Sequence, residues 1–307
     1  MYENQNQSNR RGHIAAIIMA LIIGILGTMW NLNNQKLRDS ETVIPSPAVG
    51  TGLTVHFIDV GQGDSILLTC GKQTMLVDAG SERAGDDVVD YLRAQGVAKL
   101  DYLVSTHPHR DHCGGMAQVV ENYPVKTAYS PVTAFENEYF SKFSEAAAKA
   151  KLTITVPAAD DTFSLGDAAV TVLGPRGDAA SLDNVNNMSL VLRVEYGATA
   201  FLLTGDMEYD EETALLEAGC DVTCNVLKAG HHGSEDSTGF QLLYAASPET
   251  CVISCGVGND YGHPHDRLLS RLEDAGVRVL RTDENGTVIC VSDGSTVTIG
   301  YERAPAA

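Results

Sequence analysis

Between Leu100 and Gly115 the chain reads LDYLVSTHPHRDHCGG. An apolar run with the character of a buried strand empties into a loop that carries three histidines and an aspartate within six residues. Only nine histidines occur in all 307 residues. His107 and His109 are two apart, so on an extended segment their side chains share a side. Asp111 and His112 follow on a turn, and Gly114 and Gly115 let the backbone bend tightly. Such a loop can direct His107 and His109 to one metal ion and Asp111 and His112 to another, because borderline divalent ions favour imidazole with carboxylate.

One loop cannot complete two coordination shells, so the remaining ligands have to arrive from other strand ends. FLLTGD ends at Asp206, VLKAGHHGS brings His231 and His232, and YGHPH brings His263 and His265. Taken alone, Asp206 would cap the helix expected over 208–218; beside the other motifs it reads as a ligand. Strand pairs and helices alternate along 53–301, first in one half and again in the second. The order predicts an α/β chain folded as a four-layer αββα sandwich, with two sheets inside and helices on both outer faces. The longest polar loop, 174–187, fits a lid or substrate loop.

Around these ligands the sequence offers supporting groups. Asp59, Asp64 and Asp78 sit at strand ends or in glycine turns, where a carboxylate can accept the free N–H of a ligating imidazole; Asp78 fits best. Lys228 is placed to bind an anionic oxygen or to serve as a surface charge. His263, beside Pro264, is a candidate proton donor, since imidazole titrates near neutrality. Cys113 is expected to be a small packing residue. The seven cysteines are odd in number and show no CxxC, so they form neither a disulfide framework nor a zinc ribbon. Cys220 and Cys224 are spaced to be bridged, though nothing requires it.

Residues 14–30 form an uncharged run of 17, IAAIIMALIIGILGTMW, flanked by Arg10, Arg11, Lys36 and Arg38. A segment this long barely crosses a hydrocarbon core of about 30 Å. We read 1–32 as a short tail and an uncleaved membrane anchor, with a cleaved signal segment as the rival. Residues 33–50 read as a linker and 51–307 as the main domain, expected to be extracellular. The formal charge of −19 opposes non-specific attraction to nucleic acid and suits a chain that collects cations.

The HxHxDH motif, TGD and HHGS together resemble the metallo-β-lactamase superfamily of hydrolases. HFIDVGQGDSILL, NNMSLVLRVEYG, LKAGHHGSEDST and YGHPH further resemble the soluble domain of ComEC-type competence DNA-uptake proteins, over roughly residues 53–300. The resemblance implies that His107 and His109 hold a first metal, Asp111 and His112 a second, and that Asp206 bridges both. It also implies that one of His231 and His232 completes the second site. The His232-Gly233-Ser234 pattern favours His232, with His231 lining the pocket. Most members bring another histidine to the first metal, and none lies between His112 and Asp206 here. Asn187, Asp183 or water would stand in, which implies a weaker first site and argues against a lactamase.

The expectation is therefore a hydrolase using metal-activated hydroxide with one or two divalent ions, zinc or manganese. Its substrate would be a phosphodiester, with single-stranded DNA the family-level candidate. A small phosphodiester or phosphocholine-type ester is the second enzyme reading, and a non-catalytic surface binding protein is the reading from another class. No motif calls for an obligate protein partner.

Overall fold

The structure is a computed structural model and describes residues 52–176 and 184–303. The expected tail and anchor at 1–32, the linker at 33–50 and Asp183 lie outside these residues. Among the described residues no helix is long and apolar enough to cross a membrane.

The strands are β1 (Leu53–Phe57), β2 (Ile66–Cys70), β3 (Gln73–Val77), β4 (Leu100–Val104), β5 (Val125–Tyr129), β6 (Ile154–Thr155), β7 (Thr162–Leu165), β8 (Ala168–Gly174), β9 (Val191–Tyr196), β10 (Thr199–Leu203), β11 (Val226–Lys228), β12 (Thr250–Ile253), β13 (Arg278–Arg281), β14 (Val288–Ser292) and β15 (Val297–Tyr301). The helices are α1 (Gly85–Ala94), α2 (Arg110–Cys113), α3 (Met116–Asn122), α4 (Glu138–Lys149), α5 (Tyr209–Glu217), α6 (Phe240–Ala246), α7 (Asp266–Asp274) and α8 (Thr282–Asn285). One sheet runs β15-β14-β1-β2-β3-β4-β5-β6 and the other β13-β12-β11-β10-β9-β8-β7. Each is antiparallel through one half and parallel through the other. The loose likeness of the two halves of the sequence corresponds to this shared plan.

Side-chain alternation builds the layers. In β10, Phe201 and Leu203 point between the sheets, where they join Phe57, Leu68 and Val194. Ala200 and Leu202 point the other way and pack with Leu215 of α5, Leu242 of α6 and Leu268 of α7. On the first sheet Leu67, Leu76 and Leu103 face outward against Val88 of α1, Val119 of α3 and Phe140 of α4. Both sheets are thus covered on both faces, giving the expected four layers. Strands so covered are near-continuously apolar, which is why the sequence marks them clearly.

The parallel halves position the site. β3 pairs with β4 in the first sheet, and β10, β11 and β12 pair in sequence in the second. The carboxyl ends of these strands lead into Asp78, Thr106, Asp206, Ala229 and Ser254. Asp111 and His112 sit on the short helix α2, where an irregular turn was expected. Gly115 has an ordinary helical φ of −83° at the N-cap of α3. Its lack of a side chain serves close approach, since a Cβ there would lie 2.2 Å from the Ala79 carbonyl oxygen. All seven cysteines are free thiols, so Cys220 and Cys224 are not bridged.

Candidate metal centre

Three imidazoles converge on one carboxylate. Asp206 Oδ2 lies 3.2 Å from His112 Nε2, 3.4 Å from His232 Nε2 and 3.7 Å from His107 Nε2. His112 Nε2 and His232 Nε2 are 3.1 Å apart, and Asp111 Oδ2 is 3.3 Å from His232 Nε2. His107 Nε2 and His109 Nδ1 face each other at 3.0 Å. Gly205, at φ 53°, delivers Asp206; a Cβ there would meet Ser189 Oγ at 2.9 Å and Thr106 Cβ at 3.0 Å.

The opposite ring nitrogens explain why the Nε2 atoms point inward. His112 Nδ1 donates to Asp78 Oδ2 at 2.8 Å. His232 Nδ1 donates to the Ser254 carbonyl at 3.0 Å, with Asp64 Oδ1 farther off at 3.4 Å. Thr106 Oγ1 donates to Asp78 Oδ2 at 2.6 Å, which leaves its lone pairs to accept from His107 Nδ1 at 3.2 Å. With each Nδ1 proton committed, the Nε2 atoms of His112 and His232 face one another.

The donor set fits a divalent cation. Atoms bound 2.0–2.1 Å from a tetrahedral zinc ion lie about 3.4 Å apart. His112 to His232, His112 to Asp206, His232 to Asp111 and His232 to Asp206 are separated by 3.1, 3.2, 3.3 and 3.4 Å. Asp206 Oδ1 is buried without a hydrogen-bond partner, as a second coordinating oxygen would be. Two overlapping groups of donors thus lie within 4.8 Å of one another, His107 with His112 and Asp206, and Asp111 with His112 and His232; His109 stands beside the first, 3.0 Å from His107 Nε2.

Electrostatics point the same way. Burial pushes His112 and His232 towards neutrality, but Asp206 together with Asp78 for His112 and Asp111 for His232 outweighs it, so both imidazoles are raised well above their ordinary value. Burial likewise opposes ionisation of Asp206, and His112 and His232 overcome it and hold the carboxyl well below the usual range. Burial, with His112 next, lowers His107. A cation entering here would displace protons from rings already held in place for it.

His231 and His232 both adopt left-handed backbone conformations, φ 45° and 54°, which are sparsely populated and concentrate at functional sites. The strain lets adjacent residues face different ways. His232 is buried at the cluster, while His231 keeps 26% of its side chain exposed, with Nε2 3.9 Å from Asp206 Oδ2. Its Nδ1 lies 3.1 Å from Glu208 Oε1, and Glu208 is in turn held by the amide of Asn186 at 2.6 Å and by that of Asn184.

Several expected roles change. Lys228 is 0% exposed, and its ammonium meets Asp64 Oδ2 at 2.8 Å, the Ala229 carbonyl at 2.7 Å and the Gly205 carbonyl at 3.3 Å. Its three donors are used, so it braces Asp64 and the loop before Asp206 and is not free for an anionic substrate. Asp59 pairs with Arg303 at 2.5 Å and accepts from Gly61 N, away from the cluster. His263 is lowered to about 4, by burial first and then by His231, His232 and His265. It is neutral at pH 7 and carries no proton poised near neutrality. Asn187 Oδ1 accepts from Glu208 N at 2.9 Å, so it braces the segment after Asp206. Ser234 Oγ accepts from Asp236 N, and both ring nitrogens of His265 are engaged, with Glu235 N and the Tyr261 carbonyl, so these residues tie loops together. Asp64 and Asp78 do lie beside the cluster. Thr106, Ser189, Asn186 and Glu208 are supporting groups that the motif reading missed, although Thr106 and Glu208 stand one and two residues from motif ligands.

Comparison with known proteins agrees with this geometry. The chain is 33% identical over 260 residues to ComE operon protein 3 of Bacillus subtilis (strain 168), covering 79% of this chain and 33% of that protein. It is 34% identical over 232 residues to competence protein ComA of Neisseria gonorrhoeae, covering 75% of this chain and 31% of that one. It thus spans about a third of the length of these curated relatives. The metallo-beta-lactamase fold protein YhfI from Bacillus subtilis shares the fold, with a TM-score of 0.51 at 14% identity over 81% of this chain and 100% of that one. Residues 58–257 match the sequence model of the superfamily and include every donor of the cluster: the chain belongs to the metallo-beta-lactamase superfamily, whose fold is that of metal-dependent hydrolases.

Proposed function

We propose that this chain is a metal-dependent phosphodiesterase that cuts single-stranded DNA, as a catalytic domain of the ComEC type. The observation that carries the reading is the convergence of His107, His112 and His232 on Asp206, with Asp111 and His109 alongside, which we read as two unequal cation positions sharing Asp206, four donors at one and three at the other. A divalent ion bound there supplies positive charge that lowers the pKa of water and neutralises charge developing on a phosphoryl oxygen. The relative named competence protein ComA favours DNA as the source of the phosphodiester. Zinc and manganese both suit the donors, and the three-donor position leaves room for oxygen ligands.

The chain's own residues supply orientation and proton movement. Asp78, Thr106 and Ser254 fix the tautomers that present Nε2 at the cluster. Asp206 and Asp111 hold negative charge beside it. Hydrolysis takes a proton from the attacking water, breaks the P–O bond and returns a proton to the leaving oxygen. His231 is placed for that transfer: Glu208 fixes its Nδ1 and leaves Nε2 facing Asp206. This gives His231 the role that the sequence assigned to His263.

Assays of the full chain on single-stranded DNA and on bis-p-nitrophenyl phosphate, with zinc and then manganese, test the reading. Metal-dependent cleavage of both, abolished by His109→Ala, is the expected result. Cleavage of the small ester alone would move the assignment to a small phosphodiester, and turnover that survives His109→Ala would place the site elsewhere.

A further inference from the structure

We propose that Tyr261 is a stacking platform for an unpaired nucleobase beside the reacting phosphate, an inference that rests on the phosphodiesterase reading above. A series of rings leads from the cluster to the surface. His231 Nε2 is 3.9 Å from Asp206 Oδ2. The His231 ring meets His263 edge to face at 5.4 Å. Tyr261 then lies nearly parallel to His263, with centroids 5.6 Å apart and planes inclined by 24°. Tyr261 is nevertheless 60% exposed, and Val257 on the same loop is 78% exposed. An aromatic ring backed by one ring and open to solvent is a surface on which another flat ring can stack.

The loop is held in place before any ligand arrives. Asn259 Oδ1 accepts from Tyr261 N at 3.2 Å and from His263 N at 3.0 Å. Asn259 Nδ2 donates to the His263 carbonyl at 2.6 Å and the Gly256 carbonyl at 3.0 Å. His265 Nε2 donates to the Tyr261 carbonyl at 3.2 Å, and Gln62 Oε1 accepts from Gly256 N at 3.1 Å. Tyr261 is thus fixed through both its N–H and its C=O, so little ordering cost remains when a base stacks on it.

Charge balance favours a base over the phosphate backbone as the contact. Against 40 acidic residues the chain has 21 Lys and Arg, and strand binding by phosphate neutralisation needs a surplus of cations. Base–aromatic stacking needs none and tolerates any base, and a base already stacked in a duplex cannot use it. The platform therefore selects single-stranded substrate at the mouth of the site.

Steady-state cleavage of a single-stranded oligonucleotide by the full chain with manganese tests this, beside the same strand bearing tetrahydrofuran abasic residues. Tyr261→Ala should raise KM for the base-bearing strand about 5- to 150-fold, more than it changes kcat. Tyr261→Phe should stay near wild type, and on the abasic strand wild type and Tyr261→Ala should share one KM. A base-bearing KM unchanged in Tyr261→Ala, or an equal loss on the abasic strand, overturns the platform while leaving the nuclease reading intact. A wild-type chain that hydrolyses bis-p-nitrophenyl phosphate and does not cut the strand overturns both.

Discussion

Asp78 is 0% exposed, yet it determines which nitrogen His112 brings to the cluster. Burial raises its carboxyl, with the His112 imidazole opposing the rise. Asp78→Asn keeps the shape and removes the charge. Supporting residues of this kind change metal affinity by about 10–100-fold, and a loss in that range is expected from competition titration with a chromophoric chelator. An unchanged affinity would mean that the backbone alone positions His112. At this scale the sequence was legible for the converging His and Asp side chains and for Asp78 behind them, and illegible for Thr106, Ser189, Asn186 and Glu208. His107, His109, Asp111 and His112 announce themselves by residue type and spacing. Whether Asp59 or Asp64 reaches the cluster depends on how one glycine turn folds, and the structure sends Asp64 to Lys228 and Asp59 to Arg303. Lys228 read equally as an anion-binding group or a surface charge because it ends a strand; three acceptors meeting at that strand end bury it instead.

Elements were read well where they were apolar and poorly where they were short. β7, with the sequence TFSL, is a partly exposed edge strand and gives almost no periodic signal. α2 and α8 span four residues each, too short for helical periodicity to register. The junction of α5 and α6 provides a pH test. Glu212 of α5 accepts from Thr238 N and, at 2.9 Å, from Gly239 N at the start of α6. Burial raises its carboxyl to about 7, against those amides and Arg271. The folded chain therefore holds this proton more tightly than the unfolded chain does. The resulting stabilisation is complete below the unfolded value near 4.5 and is lost as pH rises through about 7. Chemical denaturation of wild type should show stability falling across this window, and Glu212→Gln should flatten that fall. Parallel pH profiles for the two proteins would show that Glu212 does not titrate there.

For the whole molecule, the two half-parallel sheets matter because they bring strand ends from both halves of the chain to one place. The order of strands and helices was enough to predict four layers, since each strand covered on both faces leaves an apolar signature. The cluster combines α2 of the first half with the loops after β10 and β11 of the second, so its completeness depends on the sandwich as a unit. The anionic chain gains from a cation there, because Asp64, Asp78, Asp111 and Asp206 crowd one small volume. The most direct test is the number of divalent ions retained by the purified full chain, measured by elemental analysis and followed by calorimetric titration. The expected result is one tightly held ion and a second, weaker one, with the tight ion lost in His112→Ala. A wild-type chain that binds no divalent ion, or a His112→Ala chain that keeps the same tight ion, would contradict it.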